Sequence, residues 1–440
     1  MEFKREKKLQ QLIDSKKNGL VKVITGVRRC GKSYLLDPIF KRYLLEEGVK
    51  EDHIITFAFD FDEDLDKLIP FFPEEPVKIQ ISKTEYVINS RKFRAYINSL
   101  ISDQEDYYLL FDEVQLLENF VGTLNGYLKH PNYDVYVTGS NSKFLASDIE
   151  TQFRGRGDPI RMQPLTYKEI YNGVGGDKAE LLENYLRYGG LPLCVLSEND
   201  EKKESYLKTT YQTTYRKDLL ERHKIKNIKE FEELVKVVAS VIGSPINVER
   251  IKNTFNSKEH SKIAPKTISR FLDYLSDSFL TSSCEKYDIK GRKYIGATSK
   301  IYFTDVGIRN AILNFRQSEK THLMENVIYE ELLYRGFNVD VGSVEIYAKC
   351  GNKKDNKSYS KKKLEVDFVC NKGSEKIYIQ SAFNIEEESK KEQEEKSLDN
   401  IPDSFKKIII TYGQLKPYYN EKGYLIMGLI DFLLDDKYII

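Results

Sequence analysis

Tryptophan is absent from this chain, and cysteine, histidine and methionine are sparse, at 5, 5 and 4 of 440 residues. The cysteines (positions 30, 194, 284, 350 and 370) are scattered, odd in number and without a CxxC pair. That argues against both a disulfide framework and a zinc site. The histidines, His53, His130, His223, His260 and His322, show no ligand spacing. No apolar run approaches the ~20 residues that cross a bilayer. The amino terminus, MEFKREKKLQQLIDSKK, lacks the apolar core of a signal peptide, so the cytoplasm is the expected compartment and no membrane partner is expected. Net charge is also nearly absent, a formal +1. The chain as a whole is therefore no electrostatic nucleic-acid binder, and any such contact must come from a local patch. Many tyrosines and lysines beside no tryptophan read as the product of an AT-rich genome.

What is present is ordinary soluble material, 40% hydrophobic and 31% charged, with length for several domains at about 100–200 residues each. Over the first ~170 residues strand-like and helix-like segments alternate. Val21–Thr25, His53–Asp60, Tyr107–Asp112 and Asp134–Gly139 read as strands, Lys32–Leu45 and Arg91–Ser102 as helices. That alternation predicts an α/β fold, a parallel sheet with helices on both faces. From about 173 the chain turns helical, with a break at Gly189-Gly190-Leu191-Pro192. A tyrosine-rich β stretch follows near 284–305. From about 320 a helix, three strands, a charged helix and a last strand are expected, with the lysine-dense Lys349–Lys363 as a mobile hairpin loop. The charged run Ile385–Lys396 reads as a solvated helix face.

The stretch Gly26-Val27-Arg28-Arg29-Cys30-Gly31-Lys32-Ser33 matches GxxxxGK[ST] without departure. Its glycines let the loop curl until successive N–H groups point inward at a helix start, an anion nest. Lys32 adds a charge against the outer phosphates, and Ser33 offers a hydroxyl to Mg2+. Arg28, Arg29, Cys30 and Tyr34 fall within the expected nucleotide contact. A neighbouring strand, YYLLFDE, ends in Asp112 and Glu113. Asp112 suits Mg2+, and Glu113 suits activation of the attacking water. The strand ending VTGSNS offers Ser140 and Asn141, either of which would help hold that water. In Thr151-Gln152-Phe153-Arg154-Gly155-Arg156-Gly157-Asp158, the two arginines suit a finger reaching a neighbouring subunit's nucleotide, the alternative being a loop salt-bridged to Asp158.

The set GVRRCGKSYLL, YYLLFDEVQLLENF, VYVTGSNSKFL and FRGRGDPIRMQPLTYKEI resembles the AAA+ P-loop ATPases of bacteria and archaea. Within them it resembles the branch whose carboxyl-terminal half is a domain of unknown function. The resemblance implies an AAA+ core with the Walker strands adjacent to an inserted one. It implies ATP at Gly31, Lys32, Ser33, Asp112 and Glu113, and a homo-oligomer. Gln115 matches the glutamine of the family's DExQ. Arg156 matches the arginine of its GR motif, which makes it the better finger candidate than Arg154. It also implies three domains, at 1–172, 173–315 and 316–440. The middle one resembles a winged helix. Its recognition helix would be Pro265–Phe279, with Lys266, Ser269 and Arg270 outward, and its wing would carry Lys286, Lys290, Arg292 and Lys293 toward DNA. The last resembles a restriction-endonuclease-like fold. Glu325 or Glu330 fits its helix acid and Asp367 its aspartate, but Gln380 and Ala382 replace the acid and the lysine. That predicts a non-cleaving relative, with Asp367 capping or paired to Lys361–Lys363. The expected function is hydrolysis of ATP with Mg2+ coupled to remodelling or translocation of DNA. The alternative is a STAND-like nucleotide-dependent switch or scaffold that binds a protein partner.

Overall fold

β-branched and aromatic residues dominate the runs Val21–Gly26, Tyr107–Asp112 and Tyr133–Thr138, and each becomes a strand buried on both faces, as the centre of a parallel sheet requires. The computed structural model describes residues 2–82, 85–139, 153, 155–257, 263–296, 299–316, 319–349, 359–385 and 387–439. They form two compact units, 2–164 and 165–440. In the first, β1 (Val21–Gly26), β2 (Ile54–Ala58), β3 (Tyr107–Asp112), β4 (Tyr133–Thr138) and β5 (Gly157–Met162) make a parallel sheet in the order β2-β3-β4-β1-β5. β4 is thus the strand inserted between the one leading into the phosphate loop and the one ending in Asp112. In register, Ala58 lies beside Asp112, Ile24 beside Thr138 and Gly26 beside Met162. The carboxyl ends of all five strands therefore share one edge, where ligands of open α/β sheets bind. Phe57, Phe93 and Phe111 pack edge to face beneath it, with Phe57–Phe93 and Phe93–Phe111 ring centres both 5.1 Å apart.

Two expectations for this unit are corrected. Lys32–Leu45 is not one regular helix: Asp37 turns extended (φ −139°, ψ 116°) between the turn at Lys32–Tyr34 and the helix Lys41–Glu46. Pro38 explains it, because its ring disfavours a helical residue before it and it offers no N–H. The segment after the arginines is also no loop throughout. Gly157–Met162 is β5, which among the described residues is an edge strand paired with β1 alone, the position at which Pro159 is tolerated.

In the second unit the helix Lys178–Tyr188 stops at Gly189 (φ 71°), and a short helix restarts at Pro192. Helices Ile228–Ser240, Val248–Ser257 and Pro265–Asp277 accompany a three-stranded antiparallel sheet of Pro245–Ile246, Ser299–Phe303 and Thr281–Cys284. An eight-stranded mixed sheet follows, centred on Asn338–Lys349, Tyr359–Lys372, Glu375–Ala382 and Lys406–Thr411. Lys406–Thr411 is not the last strand, since Leu425–Gly428 pairs beside it in parallel. Nor are Lys361, Lys362 and Lys363 loop residues, for they pair with Tyr347, Ile346 and Glu345. The basic hairpin expected as a wing, Lys286–Asp288 with Lys293–Tyr294, is the edge of this large sheet, joined in parallel to Val341–Ser343. No described helix is long and apolar enough to cross a membrane.

Candidate functional site

The phosphate loop leaves β1 at Gly26, whose φ is +130°. A Cβ there would stand 2.0 Å from the Met162 carbonyl oxygen, so only glycine lets the loop pass over β5. Arg29 (φ 63°) and Gly31 (φ 95°) are both left-handed. This alternation turns successive amides toward one centre, the geometry of an anion nest. The Lys32 ammonium is buried and donates to the Gly26 and Val27 carbonyls at 3.1 and 2.9 Å. An ammonium has three donors, so one remains for an anion in the curl. Arg28 is partly buried, and Arg29, Ser33 and Tyr34 are exposed. The Cys30 thiol is buried 3.9 Å from the Met162 oxygen, so its side chain packs under the loop and faces away from solvent.

Opposite the loop, β3 ends in Asp112 and Glu113, and here the structure adds a residue that the sequence reading passed over. The Thr138 hydroxyl, at the end of β4, donates to the Asp112 carboxylate and accepts the Glu113 N–H at 3.1 Å. Thr138 is fully buried. A polar residue closing an apolar strand was the available signal. Burial raises the Asp112 carboxyl above its ordinary range, against hydrogen bonds from Thr138 and Ser33, with Glu113 and Asp60 adding like charge. Asp60 follows β2, and its carboxyl is likewise raised, by desolvation and then by Glu113. Glu113 itself is left-handed (φ 52°), and its carboxylate accepts a hydrogen bond from Gln115. A hydroxyl and a raised carboxyl in contact, beside a nest with an ammonium, fit Mg2+ and a phosphate chain: the oxygen donors suit a hard cation and the amides an anion.

The structure thus brings together Gly26, Gly31, Lys32, Ser33, Asp112 and Glu113. It does not bring Arg156 to them. Arg156 precedes β5, at the end of the sheet opposite the loop, roughly 20 Å from it over six residues at about 3.3 Å each. It is exposed, and Asp158 receives a hydrogen bond from Asn18 at 2.8 Å. Ser140, Asn141 and Arg154 lie outside the described residues. Far from this site in the same unit, His53 meets Asp103 at 3.3 Å and Glu105 at 3.7 Å, a cluster that spacing did not show. Glu105 also pairs with Lys50, so the group reads as an ion-pair network.

In the second unit Glu325 and Asp367, the acids expected of a nuclease-like part, are gathered around a cation of the protein's own. Lys300, almost fully buried, lies 2.8 Å from Glu325, 2.8 Å from Glu365 and 3.7 Å from Asp367. The Tyr302 hydroxyl donates to Glu325 at 2.6 Å. The partner of Asp367 is therefore Lys300 and not Lys361–Lys363. Burial, and then the neighbouring Glu325, raise the Asp367 carboxyl, while Lys300 pulls it down. The Asp367 carboxylate also accepts the Ser381 N–H at 2.8 Å. The Gln380 amide is spent on Glu394 and Ser397. Two of the expected wing cations are engaged as well, Lys286 with Glu365 at 3.6 Å and Lys290 with the Glu345 carbonyl at 2.9 Å. Cys30, Cys194, Cys284 and Cys370 are free thiols.

Residues 18–171 match a family model described as an AAA domain, and residues 179–319 match a domain of unknown function. An uncharacterised protein of Haemophilus influenzae is 30% identical over 436 residues, 98% of each chain. An uncharacterised protein of Methanocaldococcus jannaschii is 29% identical over 435 residues, 92% of this chain and 86% of its own. Among solved structures, the Aeropyrum pernix ORC2 protein in ADPNP-ADP complexes aligns with 71% of this chain and 94% of its own, at 11% identity and a TM-score of 0.38, too slight a likeness to bear on function.

Proposed function

We propose, for a chain that belongs to the same family as the Haemophilus influenzae protein and carries an AAA domain, that residues 2–164 bind ATP and hydrolyse it to ADP and phosphate. The observation that carries this reading is the Thr138 bridge, which fixes Asp112 and Glu113 side by side on the sheet edge where the phosphate loop begins. The loop amides and the Lys32 ammonium take the outer phosphates. Ser33 and Asp112 hold Mg2+, which when bound offsets the phosphate charge. Glu113 accepts a proton from the water that attacks the γ-phosphorus, and the bond to the ADP oxygen breaks as that water adds. Arg156 is too distant to serve its own loop, so the reading includes an oligomer in which it serves a neighbour's.

Phosphate release from ATP tests this. The wild-type chain should turn over ATP only with Mg2+, and Lys32→Ala should lose about 100-fold or more. Lys32→Ala and Arg156→Ala chains, each impaired alone, should recover part of the rate when mixed, because some interfaces then hold both intact groups. Equal turnover by wild type and Lys32→Ala would contradict the reading.

The region 173–315 we read as the winged-helix part and 316–440 as a non-cleaving nuclease-like part. The exposed Lys266, Ser269 and Arg270 on one helix favour coupling to DNA, to be seen as turnover stimulated by duplex DNA and lost steeply with added salt. The engagement of Lys286 and Lys290 inside the unit favours instead a switch that binds a protein, with turnover indifferent to DNA.

A further inference from the structure

Gln115 is the one residue of the acidic strand end whose role the reading above leaves open. Its side chain is 4% exposed, and its amide nitrogen donates to the Glu113 carboxylate two residues back. Its amide oxygen, equally buried, has no hydrogen-bond partner. A buried glutamine kept only to fill space or tie the chain would satisfy both ends, because an unpaired buried carbonyl costs stability. Here one end goes without, and the other grips the carboxylate proposed as the base.

The backbone around Glu113 shows why a grip is needed. The residue is left-handed (φ 52°), and its N–H is committed to Thr138, so the main chain is fixed while the half-buried side chain keeps its own torsions. Asp112 lies next in the chain, and Asp60 is near enough to feel the charge of Glu113. Against these like charges the Gln115 amide donates to the Glu113 carboxylate. The amide thus holds one oxygen of the carboxylate in place.

We propose that Gln115 is a positioning residue for ATP hydrolysis: its amide fixes the Glu113 carboxylate in the orientation that takes the water proton. The inference rests on the reading of Glu113 as the base and adds to it the residue that aims it. Gln115 acts through Glu113 in this proposal, so its loss should act on the chemical step and spare binding.

The test is steady-state turnover of Mg2+–ATP by the full chain, with Gln115→Met as the main variant, since methionine keeps the length and volume and removes the donor. The expected result is a kcat lower by about 10- to 100-fold, the range of a misaligned general base, with KM for ATP within about twofold and a melting temperature no lower than wild type. Gln115→Glu, which sets a carboxylate against Glu113, should fall at least as far in kcat, again with KM kept. A Gln115→Met chain that melts normally and turns over at the wild-type rate or faster overturns the inference while leaving the ATPase reading intact. A rise in KM with kcat unchanged also overturns it, because the residue would then serve binding. If the wild type itself turns over no faster than Lys32→Ala, the ATPase reading fails first and the inference falls with it.

Discussion

Gly26 carries two demands that no other residue meets, a φ of +130° and an approach to the Met162 oxygen that leaves no room for a Cβ. Gly26→Ala should therefore displace the loop from β5 and weaken ATP binding by about 100-fold or more, read by calorimetric titration, since the loss is of the whole nest and not of one donor. Asp112 makes the opposite case. Its carboxyl is raised by burial, so in the nucleotide-free chain the ionised form is unfavourable. Asp112→Asn keeps an oxygen that accepts from Thr138 and Ser33 and removes the buried charge. That chain should melt at or above the wild-type temperature without ligand, yet bind Mg2+–ATP about tenfold or more weakly, because the cation loses its carboxylate. A lower melting temperature for the variant would mean that groups of the protein itself already compensate the charge.

At the scale of the element, Asp305 shows how a helix start is joined to a loop. It caps the helix Val306–Ile312 by accepting the Ile308 N–H at 2.9 Å, and it also accepts the Gly190 N–H at 2.8 Å. Burial raises its carboxyl to about 6, against those backbone donors. A folded value above the ordinary one stabilises the fold below about pH 4 and loses that contribution as pH rises through 6. By the linkage of about 1.4 kcal/mol per unit, the chain should lose about 3 kcal/mol of stability from this group between pH 4 and 7. Asp305→Asn, which keeps the acceptor, should flatten that part of the curve in urea denaturation measured across the range. Elements of this kind divide into those the sequence announces and those it hides. The short runs at Val21–Gly26 and Tyr107–Asp112 read as strands because they are mostly apolar, rich in β-branched or aromatic residues and too short for a helix. Gly157–Met162 hides, because an edge strand tolerates Pro159 and so has no strand-like composition. The Asp37 break was legible in Pro38 and outweighed by the periodicity around it. At the site, GxxxxGK[ST] and Asp112-Glu113 were plain, since their chemistry is local in the chain. Thr138 was not, because its contact depends on β4 lying between β3 and β1.

For the whole molecule, the near-zero net charge conceals strong local pairing. The Lys300 cluster joins a strand of the three-stranded sheet to the helix Lys320–Tyr334 and to Tyr359–Lys372, elements far apart in sequence, so no spacing rule could have found it. The wing-like hairpin was misplaced for the same reason, its partner strand lying some fifty residues on. Lys300→Met should cost about 3–5 kcal/mol in urea denaturation at neutral pH, because it strands buried carboxylates, and the deficit should narrow as pH falls and they neutralise. A cost below about 1 kcal/mol would mean that the ammonium is not what compensates them. The central claim concerns the other unit, and one measurement reaches it most directly: ATP bound to and hydrolysed by the Glu113→Gln chain in the presence of Mg2+. Retained ATP with phosphate release lowered by about 100-fold or more is the predicted result; release at the wild-type rate, or no ATP retained by a chain whose phosphate loop is intact, would contradict it.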